Sequence, residues 1–143
     1  MKRESPVHKN RGLFCYHFRQ SRAIMRKNNG RGITMELTID ALQAYLFDHY
    51  GGRATEQGMF MKLVEEIGEV AEVLNKRAGR KAAEQEDLQE ELAEELADMI
   101  HYIVAIAAIN HMDLTETIIR KDKRAAVKYH HATDLETFLQ THT

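Results

Sequence analysis

One cysteine, one proline and no tryptophan in 143 residues exclude several classes of protein at the outset. Cys15 alone can form neither an internal disulfide framework nor a zinc-type cysteine cluster. No run approaches the roughly 18 consecutive apolar residues of a membrane span, and residues 1–34 lack the apolar centre of a secretory signal. The sequence therefore predicts no membrane partner, and its single thiol suits a reducing cytoplasm. Alternating strand patterns, hairpin signals and solenoid-length repeats are also missing. Gly51-Gly52 lacks the spacing of a phosphate-cradling loop. No Ser-His-Asp or Cys-His arrangement can be read.

Acid is scarce at one end. Residues 1–34 hold nine Lys or Arg against the single acid Glu4, which leaves 11 basic and 21 acidic residues beyond them. The net charge of −2 thus hides about +8 in that segment and about −10 after it. With little apolar periodicity, residues 1–34 read as a disordered basic extension and residues 35–143 as one domain. Three accounts of the extension stay open: a translated stretch ahead of a start at Met35, an expendable tail, or an arm for nucleic acid or targeting.

What is present is helical period. Ile39, Leu42, Leu46 and Phe47 recur at helical spacing behind Thr38 as N-cap, and Gly51-Gly52 ends that run. A second helix is predicted from Thr55 or Gly58 to Ala78, with Gly79 as its stop. A third covers residues 87–109 and is stopped by Asn110. A fourth runs from Asp113, with Glu116 completing a capping box, to about Lys128. Asp134 caps one further turn through Phe138. The fold class is all-α, an antiparallel four-helix bundle-like core. Residues 100–109 are more apolar than one buried stripe requires, so a second face should pack on another subunit.

The acids then stand out by position. At about 100° per residue, Phe60, Leu63, Ile67, Val70 and Leu74 share an arc of about 80° and define the expected buried face of the second helix. Glu66 sits at its edge, Glu69 about one step further round, and Glu65 and Glu72 point away. In the third helix the arc is Leu88, Leu92, Leu96, Met99 and Ile103, with Glu95 inside it and Asp98 beside Glu95 at i+3. Four carboxylates at inward edges are prohibitive unless protonated or neutralised by cations. All-oxygen ligands favour Mg²⁺, or Mn²⁺, over zinc. By contrast Glu84, Glu86, Asp87, Glu90, Glu91 and Glu94 read as a solvated face.

Glu65-Glu66-Ile67-Gly68-Glu69 followed by Glu95-Leu96-Ala97-Asp98 resembles the EExxE and ExxD signature of MazG-like nucleotide pyrophosphohydrolases, within the all-α NTP pyrophosphohydrolase superfamily. The resemblance covers residues 37–129. It implies Mg²⁺-dependent hydrolysis of a nucleoside triphosphate to the monophosphate and pyrophosphate. Glu66, Glu69, Glu95 and Asp98 would then be metal ligands, with Glu65, Glu66 and Glu69 as the catalytic acids. It also implies a homodimer or homotetramer. On the fourth helix Lys121, Arg124 and Lys128 flank the buried face and could meet triphosphate charge. Lys121 matches the family's lysine there, while Ala125 stands where the family has Asn.

Tyr102, one turn past Asp98, could hydrogen-bond a sugar or phosphate, or simply pack. Asp98 and His101 make one pair of di-iron spacing, but there is no second pair and His101 faces away. His130-His131 read as a polar loop. The rival functions are a phosphoribosyl-ATP pyrophosphohydrolase of the same superfamily and a non-catalytic helical assembly or nucleic-acid-binding protein.

Overall fold

The computed structural model describes residues 36–82 and 87–142. The basic extension, the expected boundary at residue 34, and Glu84 and Glu86 of the expected solvated face lie outside the described residues. Among those residues there are five helices and no strand, an all-α fold as the periodicity predicts.

Each helix begins where a side chain can satisfy its free N–H groups. Helix α1 (Ile39–Tyr50) starts at Thr38, whose hydroxyl accepts from the Ala41 N–H at 3.1 Å. Helix α2 (Glu56–Arg77) starts at Thr55, which accepts from Gly58 N–H. Helix α3 (Leu88–Ile109) is capped by Asp87 and helix α4 (Leu114–Tyr129) by Asp113, which accepts from Glu116 N–H at 2.7 Å. Helix α5 (Leu135–His142) is longer than the single expected turn. Its first turn is held by Asp134, which accepts from Thr137 N–H, and by Asp122, which accepts from Leu135 N–H. Gly79, at φ +70°, ends α2 in the left-handed conformation that suits glycine, one residue beyond the cap Ala78.

The main contacts run α2 on α3, α1 on α3, α4 on α5 and α1 on α4. The core is built from α1 and α3: Leu46, Val104, Ala105 and Ala108 are buried, with Leu42, Phe47, Tyr50, Met59 and Leu114 packed round them. Gln43 ties α1 to the α3–α4 turn by donating to the Met112 carbonyl.

The expected buried arcs need correcting. In α2 the buried positions are Glu66 and Val73, whereas Phe60, Ile67 and Leu74 are half exposed, as are Leu96 and Ile103 of α3. The reason is rotation: α2 turns its Glu66–Val73 row to α3, about a quarter of a turn from the apolar row that the wheel selects. An apolar stripe is left exposed on each helix: Phe60, Val64, Ile67 and Leu74 on α2, and Leu96, Ile100 and Ile103 on α3. No helix among the described residues is long and apolar enough to cross a membrane.

Candidate metal centre

The seam between α2 and α3 carries two largely polar rows of side chains, and i+3 and i+4 steps put each row on one face. On α2 the row is Lys62, Glu66, Glu69, Val73 and Lys76, and on α3 it is Glu91, Glu95, Asp98 and Tyr102. Lys76 meets Glu91 while Glu66 meets Asp98 and Glu95, so the two helices run antiparallel.

At the middle of the seam one carboxylate oxygen each from Glu66, Glu95 and Asp98 lies within 4.8 Å of the other two. Glu66 is buried, Glu95 half-buried and Asp98 exposed, so the trio opens to solvent on one side. Burial pushes the Glu95 carboxyl above its ordinary range, and the negative fields of Glu66, Glu69, Asp98 and Glu91 push it the same way. Glu69, predicted as a fourth ligand, is exposed and stands outside the trio, although its charge is felt at Glu95. Three oxygen donors that repel one another, one of them buried, fit a hard divalent cation.

Glu65 lies elsewhere. Its carboxylate accepts from the Lys62 ammonium at 2.6 Å, and both side chains are about half exposed. Tyr102 stands one turn past Asp98 on α3. Burial raises the pKa of its hydroxyl, opposed by the Lys62 charge and aided by Tyr50, Glu66 and Asp98. Behind it His101 does not face idle solvent: its Nε2 shares a 3.0 Å hydrogen bond with the Tyr50 hydroxyl. Lys121, Arg124 and Lys128 are exposed on α4, the helix that packs on α1 and α5. Lys128 sits 5.0 Å over the Tyr129 ring.

Sequence reasoning missed the lysines that end the seam, and it misplaced Glu91. Lys76 donates to Glu91 at 2.7 Å with side chains only 13% and 26% exposed, which is no solvated face. The second oxygen of Glu91 is buried and has no hydrogen-bond partner among the described residues. The signal was available, since Lys62 stands one turn before Glu66, and Lys76 and Glu91 continue the same two rows.

The family model of the MazG nucleotide pyrophosphohydrolase domain matches residues 54–129, which span α2, α3 and α4 but not α1. The crystal structure of iMazG from Vibrio DAT 722 resembles this chain at 30% sequence identity with a TM-score of 0.51, covering 65% of this chain and 98% of that one. No curated protein matches significantly.

Proposed function

Because the chain belongs to the MazG nucleotide pyrophosphohydrolase family, we propose that it hydrolyses a nucleoside triphosphate, ribo or deoxy, to the monophosphate and pyrophosphate with Mg²⁺. The observation that carries this reading is the meeting of Glu66, Glu95 and Asp98 within 4.8 Å at the centre of the matched region. These three residues would hold the ion, with Glu69 at the rim as a fourth ligand. When bound, Mg²⁺ or Mn²⁺ supplies Lewis-acid polarisation of the phosphoryl oxygens and acidifies water.

The chain's own groups do the remaining work. Glu69, whose charge reaches Glu95, or Glu65, which would have to leave Lys62, accepts the proton of the attacking water. The Tyr102 hydroxyl donates to a sugar or phosphate oxygen. The exposed cations Lys121, Arg124 and Lys128 stand as partners of the outer phosphates. A second copy of the chain, seated on the exposed apolar stripe, completes a homodimer or a homotetramer.

The decisive measurement is a panel of canonical and modified NTPs and dNTPs with Mg²⁺, followed by hydrolysis in ¹⁸O-labelled water. The label should enter the nucleoside monophosphate, as attack at the α-phosphorus requires. Label in pyrophosphate would mean attack at the β-phosphorus. Release of orthophosphate and a diphosphate, or no metal-dependent turnover at all, would defeat the proposal.

A further inference from the structure

We infer that Lys76 is a positioning residue of the metal centre: its ion pair withholds Glu91 from the cation, so that the ion stays with Glu66, Glu95 and Asp98 and keeps positions open for phosphate. This rests on the metal-centre reading above and concerns two residues outside the EExxE and ExxD motifs.

Glu91 is placed to be a ligand. It stands four residues before Glu95, on the row of α3 that continues to Asp98, and side chains at i and i+4 on one helix face can share a metal ion. Its negative charge already reaches the Glu95 carboxyl. Yet Glu91 stays outside the trio whose oxygens lie within 4.8 Å of one another.

Lys76 holds it there. The Lys76 ammonium donates to one Glu91 oxygen at 2.7 Å, in a pair far less exposed than Lys62–Glu65, Lys81–Glu72 or Lys123–Glu136. Exposed pairs contribute little net free energy, whereas removing one partner of a buried pair leaves the other charge uncompensated. The second Glu91 oxygen is buried and has no hydrogen-bond partner among the described residues. A carboxylate with one oxygen held by an ammonium and the other unfilled turns to the next available cation once that ammonium is gone. One helical turn away, the next cation is the ion of the trio. An octahedral ion that accepts a further carboxylate gives up a position that a phosphate oxygen would fill. Loss of Lys76 therefore makes the centre hold its metal more tightly and its nucleotide less tightly.

The test uses the full chain, with electron paramagnetic resonance for Mn²⁺ alone and calorimetry for a non-hydrolysable α,β-methylene nucleoside triphosphate at saturating Mn²⁺. Lys76→Met should bind Mn²⁺ about tenfold more tightly and the analogue several-fold more weakly. A merely structural pair would weaken both. Lys76→Arg keeps a cation beside Glu91 and should match the unaltered protein within about twofold in both measurements. The double variant Lys76→Met/Glu91→Gln has no carboxylate to release, and neutralising both members of a buried pair spares the fold, so its Mn²⁺ affinity should also stay within about twofold. Lys76→Gln keeps a hydrogen-bond donor but drops the charge; it should move both affinities in the same directions by less, and it decides the matter if Lys76→Met does not fold. Unchanged or weaker Mn²⁺ binding in the folded lysine variants would overturn the inference and leave the metal centre standing. Equal tightening in the double variant would show that the lysine acts without Glu91, and would overturn it too. If the unaltered protein bound no Mn²⁺, the metal-centre reading would fall and take the inference with it.

Discussion

Glu95 is the residue at which burial and like charge act together, and both push its carboxyl upward from the ordinary 4.5. A folded state that holds this proton more tightly than the unfolded chain has stability that is fully present below about pH 4.5 and is lost as pH rises through the folded pKa. An ion in the trio replaces the proton, so divalent-cation affinity should rise over the same interval. Glu95→Gln cannot ionise. In chelator its thermal stability should match or exceed that of the unaltered protein at neutral pH, and the difference should shrink toward pH 4. Its activity should fall by at least about 100-fold, because a charged ligand is gone. Thermal melts of both proteins from pH 4 to 8, with and without Mg²⁺, check the sign. An Mg²⁺ shift in Glu95→Gln equal to that of the unaltered protein would refute it.

At the scale of the helix, caps were legible and rotation was not. Thr38, Thr55 and Asp113 stand at the ends that their side chains specify, because capping is local chemistry. The acids of the trio were also legible, since EExxE and ExxD fix their spacing along each helix. The buried row of α2 was not, because that row is mostly polar and only the neighbouring helix decides that it, and not the apolar arc beside it, is covered. Glu91 was misread for the same reason: its partner Lys76 comes from another helix. Gly68 tests how exposed the outer side of α2 is. It lies mid-helix, and a Cβ there would meet nothing within 4 Å. Gly68→Ala should therefore raise stability by about 0.5–1 kcal/mol, read as a higher urea midpoint at unchanged slope. A lower midpoint would mean that another surface approaches the backbone at this glycine.

Across the whole molecule the described core is thin. Among the described residues seven hydrophobic ones are buried, four of them alanines, whereas sixteen large hydrophobics are exposed. Scattered apolar side chains on a surface are ordinary, but Phe60, Ile67 and Leu74 recur along one row of α2 and Leu96, Ile100 and Ile103 along one row of α3. Rows of exposed apolar residues of this kind are what interfaces are made from, and a stable pair of copies would cover about 800 Å² on each. The expected assembly is a homodimer or larger. Ile100 is 51% exposed and lies away from the carboxylate trio on α3, so Ile100→Asp should break the assembly without costing the fold of one chain a buried contact. Analytical ultracentrifugation at micromolar concentration should show the unaltered protein as a dimer or tetramer and Ile100→Asp shifted toward monomer, with helicity by circular dichroism largely retained. A monomeric unaltered protein at about 100 μM, a concentration at which even micromolar association would be nearly complete, would leave the stripe without an oligomeric role.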